Sequence, residues 1–337
     1  VAVVLFYLIY IGFLYLLPAG HRIKKEILPY IYSTVSVSIL LFSLLLIRLP
    51  TPTEIDMLSV GQGDGIAVLS RIGEVYMIDG GSSSKTEVGK YVIRPFLSYH
   101  GKSGVDIWFL THMDSDHISG CMELLESGYP IKTVVLTESI KTEEDESTKE
   151  HYEKLLYLCR KNHTRIVYMK RGNVCGSKYL SFVCLAPQEP SAFTGANENS
   201  LVLKMSRVDF DMIFTGDIGE EQEKYLLSEF YSKGVFSDIE VLKSAHHGSK
   251  GSNCREWLNF LQPKLCMISA GKNNRYGHPN TETLDRLAEA DIRYLCTINT
   301  GQIRIRPKPD GSFAVETFRR KQCLLDLCFC GITLLYE

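Results

Sequence analysis

The chain has 337 residues, 45% of them hydrophobic and 23% charged, which excludes a disordered protein and is enough for one large domain or two ordinary ones. The formal net charge is −2, so the basic excess on which most nucleic-acid binders depend is missing, although bound divalent cations would reverse the sign locally. The ten cysteines include no C-x-x-C pair, which argues against a zinc cluster of cysteines; most read as small apolar core residues, and any disulfide pairing is beyond sequence.

Residues 1–17, VAVVLFYLIYIGFLYLL, carry no charge, and residues 30–49 carry only Arg48. About 20 apolar residues cross a bilayer, so both stretches are expected to be transmembrane helices. The first lacks the basic start and small-residue cleavage site of a signal peptide. Arg22, Lys24 and Lys25 lie between them. Positive loops stay cytoplasmic, which places everything after Pro50 on the outer face, with Arg48 in weak opposition. The initial Val1 reads as the start of a fragment from a longer membrane protein. The expected organisation is 1–50 as two membrane helices, 51–310 as a soluble domain, and 311–337 as a tail without assignment.

From Glu54 the pattern becomes α/β. E-I-D-M-L-S-V reads as a strand and G-Q-G-D-G as a tight turn, followed by strands I-A-V-L-S and E-V-Y-M-I-D and the turn G-G-S-S-S. A strand at 105–111 precedes T-H-M-D-S-D-H-I-S-G, and a helix starts near Ser119. V-V-L-T is a strand, a charged loop follows, and a helix covers 150–162. Strands are expected at 165–169, 179–185, 201–206 and 211–215, a helix at 219–229, a strand at 239–243 and a helix at 253–260. A strand at 265–269, a helix at 281–290 and strands at 293–297 and 303–306 complete the series. The order predicts two sheets with helices outside them.

Five constellations carry chemistry. In H-x-D-x-D-H, His112, Asp114, Asp116 and His117 are four metal-ligand types in six positions after a strand. The alternative, that an aspartate merely caps the next helix, explains one of the four. F-T-G-D delivers Asp217 at a strand end, where a turn or cap residue is also common. K-S-A-H-H-G-S presents His246 and His247 on a Gly/Ser loop, as ligands, phosphate contacts or solvated residues. Y-G-H-P-N carries His278. N-E-N-S-L-V-L carries Asn199 before a strand, which by itself reads as an ordinary turn.

Taken in order, D-G-G at 79–81, the cluster at 112–117, T-G-D at 215–217 and S-A-H at 244–246 resemble the metallo-β-lactamase fold, an αββα sandwich, over nearly all of residues 54–310. S-V-G-Q-G-D-G at 59–65, the H-x-D-x-D-H variant, N-x-N-S-L-V-L, H-H-G-S and Y-G-H-P together resemble the C-terminal domain of ComEC-type DNA-internalisation proteins, which carry it behind a membrane channel region. The resemblance implies two divalent cations. His112 and Asp114 would hold the first, and Asp116, His117 and His246 the second, with Asp217 as bridge. Asp114 and Asn199 stand where most of the superfamily has histidine. That makes the first site harder and favours manganese or magnesium over zinc. Asp79 and Asp64 are expected as orienting carboxylates or further ligands. His247, Ser249 and His278 are left for substrate phosphate or leaving-group contact, and Asp116, His247 and His278 form the expected catalytic set. The implied activity is a metal-dependent deoxyribonuclease on the outer face of a bacterial membrane, degrading one strand of incoming DNA. Its implied partners are single-stranded DNA, its own channel region, and a DNA receptor or pilus machinery. A hydrolase of another ester or lactone and a non-catalytic domain that grips DNA are the alternatives.

Overall fold

Side chains alternate along the strands, so one set fills the space between two sheets and the other lies outward under helices. In Val75–Ile78, Tyr76 and Ile78 enter the inter-sheet core with Phe109, Phe182, Met205 and Phe214, while Val75 and Met77 join Trp108 on the opposite face. This computed structural model describes residues 8, 12, 30, 32–42, 51–189, 191, 193–233, 239–318 and 332–334. The chain divides into two units, Val1–Pro50 and Thr51–Glu337.

In the second unit the strands are β1 (Glu54–Met57), β2 (Ile66–Leu69), β3 (Val75–Ile78), β4 (Val105–Phe109), β5 (Ile131–Thr137), β6 (Arg165–Met169), β7 (Val174–Ser177) and β8 (Leu180–Ala186), then β9 (Val202–Arg207), β10 (Phe210–Phe214), β11 (Val241–Lys243), β12 (Leu265–Ile268), β13 (Tyr294–Cys296), β14 (Ile303–Pro307), β15 (Phe313–Thr317) and β16 (Ile332–Leu334). They form a sheet of order β16-β15-β14-β1-β2-β3-β4-β5-β6 and a second of order β13-β12-β11-β10-β9-β8-β7. The run β3 to β6 is parallel, and so is β10 to β13.

Helices cover the outer faces. Helix α1 (Arg94–Tyr99), α2 (Ser115–Glu126) and α3 (Glu146–Lys161) serve the first sheet. Ile118, Cys121, Leu124 and Leu125 of α2 and Leu155 and Leu158 of α3 meet Ala67, Trp108 and Val134. Asp145 caps α3, accepting from the Thr148 backbone N–H at 2.8 Å. Helix α4 (Glu220–Lys233), α5 (Arg255–Leu261) and α6 (Thr281–Glu289) cover the second sheet, where Leu226, Trp257, Leu258 and Leu287 pack on Val202, Ile213, Leu242 and Ile268. The result is the expected two-sheet α/β sandwich.

Three strands, β7, β15 and β16, were not foreseen, and β16 pairs parallel with β15. β7 is short and contains Gly176, so it lacks an alternating signal. β15 lies past residue 310, yet it pairs antiparallel with β14 and buries Phe313 and Val315. Helix α2 begins at Ser115 rather than near Ser119, so Asp116 and His117 stand in its first turn, where the helix dipole favours a carboxylate. The spans expected at 1–17 and 30–49 fall mostly outside the described residues. Residues 32–42 are helical, and no helix among the described residues is long and apolar enough to cross a membrane. Among the described cysteines all seven are free, and all but Cys175 are buried. Cys323, Cys328 and Cys330 lie outside the described residues.

Phe182 is fully buried between the sheets, with ring centroids 5.0 Å from Tyr76 and 4.8 Å from Phe109. Phe182→Ala is expected to cost about 3–5 kcal/mol in urea unfolding, and Phe182→Leu clearly less.

Candidate metal centre

The site forms where strands end. Asp79 follows β3, residues 111–116 follow β4, Asp217 follows β10, Lys243 ends β11, and Ser269 follows β12. Parallel strands leave their ligand crevice at these carboxyl ends. Asp64 arrives from the other direction, on the turn before β2. Gly63, at φ +143°, lies against the backbone carbonyls of Asp116 and Gly81, where any side chain would collide. The Asp64 N–H donates to Asp116 O at 3.0 Å, and the Gly81 N–H to Asp64 O at 2.9 Å. This close approach is why the G-Q-G-D turn needs its glycine.

His112, His117 and His247 each bury an Nε2 atom that has no hydrogen-bond partner. Asp217 Oδ2 lies 3.3 Å from His117 Nε2 and 3.3 Å from His247 Nε2. His247 Nε2 is 3.6 Å from Asp116 Oδ2. Ligand atoms lie within 4.8 Å of one another in the groups His112–His117–Asp217, Asp116–His117–His247 and Asp64–Asp217–His247. Orphaned buried imidazole nitrogens are costly unless something takes them. Imidazole with carboxylate is the donor set of first-row divalent ions, so these residues fit a metal.

The opposite ring nitrogens are held. His117 Nδ1 is 2.9 Å from Asp79 Oδ2, and His247 Nδ1 is 3.1 Å from Ser269 O. Such contacts leave Nε2 as the ligand atom. Asp79 also accepts from the Thr111 N–H and hydroxyl, each at 2.8 Å, so its carboxylate is occupied in orienting.

Asp114 is half exposed, with Oδ2 3.7 Å from His112 Nε2. Asn199 turns into its own loop, donating to Phe193 O at 3.1 Å and Gly195 O at 3.0 Å. Its neighbour Ser200 faces the centre instead, accepting from the Asp217 N–H at 3.2 Å. His246 and His247 are both left-handed, at φ +49° and +53°. This backbone aims His247 inward and leaves His246 at the rim, 3.7 Å from Asp217 Oδ2 and in none of the three groups above. His278 is buried, with an unpartnered Nδ1 and its ring 5.5 Å from that of His246. The Ser249 hydroxyl accepts from the Gly251 N–H at 3.4 Å. Of two further groups, Asp64–Asp79–His117 belongs to the same cluster, and Glu54–Asp56–His100 is taken up by Arg304, whose Nε donates to Asp56 Oδ1 at 2.7 Å.

Lys243 was not anticipated. It is fully buried, donates to Gly216 O at 2.8 Å, and pairs with Asp64 and, at 3.5 Å, with Asp217 Oδ1. A lysine ending an apolar strand just before S-A-H-H was the available signal.

Burial disfavours charge throughout this cluster, but pairing outweighs it. Burial opposes the imidazolium of His117, yet Asp217 and Asp79 hold its pKa well above the usual range. Burial is likewise overcome at His247 by Asp217 and Asp64. The Asp217 carboxyl is held low against its burial by His247, His117 and Lys243. His278 lacks such a partner, and burial, with His246 and His247 nearby, lowers it to about 4.

No protein-family model matches the chain. It is 37% identical over 278 residues to ComE operon protein 3 of Bacillus subtilis, covering 78% of this chain and 34% of that protein. The chain is a homologue of ComE operon protein 3. It is also 26% identical over 287 residues to Recombination protein 2 of Haemophilus influenzae, covering 84% of this chain and 33% of that one. The homologue thus spans about a third of the length of the curated relatives it matches. Among solved structures, a mutant of the CmlA β-hydroxylase matches with TM-score 0.50 and 10% identity, over 76% of this chain and 54% of that one. A Thermotoga maritima protein described as a metallo-β-lactamase matches with TM-score 0.40 and 14% identity, over 57% and 95%.

Two predictions follow from the charges. Lys243→Met leaves Asp64 and Asp217 without their buried cation, and is expected to cost about 3–5 kcal/mol of stability in chelator, measured by denaturant unfolding. His117 and His247 keep their protons above pH 6.5, so a cation taking Nε2 must displace them. Raised imidazole pKa values stabilise the metal-free fold at low pH and lose that effect as pH rises through them. Calorimetric titration with Mn²⁺ at pH 7 should therefore release protons, and affinity should rise about tenfold per pH unit per proton displaced. A pH-independent affinity would contradict these charge states.

Proposed function

We propose that residues 51–337 are the hydrolase part of a ComEC-type protein, a two-metal phosphodiesterase that degrades one strand of DNA during competence-linked uptake. The observation that carries this is the convergence of three unpartnered, buried imidazole Nε2 atoms near Asp217 at the strand ends. Homology to ComE operon protein 3 and Recombination protein 2 supports the place in DNA uptake. With it go attachment to the bacterial membrane, the domain on the outer face, a channel region in the same protein, and a DNA receptor or pilus machinery as partners.

His112 and Asp114 would hold one cation, and Asp116, His117 and His247 the other, with Asp217 shared. Distances favour His247 over His246 for the second position. With Asn199 bound into its own loop, the first position offers one nitrogen and several oxygens, which favours Mn²⁺ or Mg²⁺ over Zn²⁺. Such a pair, when bound, supplies Lewis acidity and an activated water at neutral pH.

The chain's own groups do the rest. Asp79 and Ser269 hold His117 and His247 in one tautomer. Lys243 keeps Asp64 and Asp217 ionised and turned inward. His278, neutral at physiological pH, is suited to donate a hydrogen bond to the phosphate or the departing oxygen rather than to carry charge. His246 lies at the rim for the same contact.

Cleavage of end-labelled single-stranded DNA should require Mn²⁺ or Mg²⁺. Asp217→Asn and His247→Ala should lower kcat/KM by more than about 100-fold, and Asp79→Asn by about 10–100-fold through weaker metal binding. His246→Ala should cost less than His247→Ala. Full activity in Asp217→Asn would reject the site.

A further inference from the structure

The segment 271–280, G-K-N-N-R-Y-G-H-P-N, leads from the buried His278 to the surface within a few residues. Tyr276 stacks on His278, with centroids 5.4 Å apart and planes at 21°, and is 45% exposed. The Arg275 guanidinium lies 4.7 Å from the Tyr276 ring centroid and also bonds its hydroxyl. Ring contact continues inward, because the His278 centroid is 6.2 Å from that of His247.

The segment is pinned. Asn274 Nδ2 donates to Gly271 O at 2.8 Å and His278 O at 2.6 Å, and Asn274 Oδ1 accepts from the His278 N–H at 2.9 Å. Asn280 Oδ1 accepts from the Lys250 N–H at 2.9 Å, tying the segment to the histidine loop. Tyr276 and Arg275 are therefore presented ready-made beside the centre. Lys272 and Lys250 are exposed on the same two loops.

We propose that Tyr276, with the Arg275 guanidinium, is a stacking platform for a base of single-stranded DNA next to the phosphodiester being cut. The proposal rests on the nuclease reading and names how that site takes its substrate. A chain of net charge −2 cannot gather DNA by bulk charge. Stacking on an exposed aromatic works with any base, because every base has a π-face, and arginine adds attraction through its flat cation. A base in a duplex already stacks on its neighbours, so the platform selects an unpaired strand.

The test is a cycle between protein and substrate in the 337-residue chain with Mn²⁺. The cut is mapped on a labelled single-stranded oligonucleotide, and abasic residues are then placed one at a time around it. At one flanking position the abasic residue should raise KM by about 10- to 100-fold for the unaltered protein, with little change in kcat. Tyr276→Ala should raise KM for the intact oligonucleotide by the same factor and respond no further to the abasic residue. Tyr276→Phe should behave as the parent. Equal losses by Tyr276→Ala on intact and abasic substrates would show a merely structural tyrosine and overturn the platform alone. Failure of the unaltered chain to cut any DNA with any divalent cation would overturn the nuclease reading and the platform with it.

Discussion

Charge compensation around Asp217 is the constraint on which the rest depends. Asp64, Asp79 and Asp217 are buried together at the ends of two sheets, with Asp116 beside them. Carboxylates taken out of water repel one another and lose hydration. Asp64 and Asp217 remain ionised here because the Lys243 ammonium and the imidazoles of His117 and His247 are interleaved among them. Each positive group is in turn too buried to be charged alone. Neither set is tolerable without the other, and a divalent cation taking the Nε2 atoms would replace the imidazolium protons in the same balance.

The fold supplies this arrangement cheaply. Parallel strands β3, β4, β10, β11 and β12 all end at this site, and each delivers at least one polar side chain there. The bodies of those strands are apolar on both faces, with one face between the sheets and one under helices. The polar groups are therefore confined to the strand ends, where the backbone leaves the ladder and can turn. Gly63, Gly81 and Gly216 allow the loops to press against one another at that edge.

The division of labour within the centre follows from which nitrogen or oxygen is already engaged. Asp79 is saturated by Thr111 and His117, so it orients. Asp64 is drawn to Lys243, which leaves Asp217 Oδ2 as the carboxylate oxygen nearest the Nε2 atoms of His117 and His247. His278 sits close to the same cluster without a carboxylate to hold its proton, and so stays neutral. Three chemical roles thus arise from one cluster through hydrogen bonding, ion pairing and burial.

Sequence alone determined the class of the structure and the location of its chemistry. Alternating and continuous apolar runs are local patterns, and they marked most of the strands and the two-sheet order. Dense ligand types after an apolar strand, as at residues 112–117, also declare themselves locally. What tertiary structure decided was direction. Whether His246 or His247 faces inward turns on two left-handed residues that no composition rule foretells. Asn199 turns into its own loop through bonds to Phe193 O and Gly195 O, while Ser200 meets the Asp217 N–H at the centre. Lys243 became part of the centre only when its strand was laid beside the loop bearing Asp64, 179 positions earlier in a chain of 337. Side-chain partners distant in sequence are chosen by packing, and packing exists only in three dimensions.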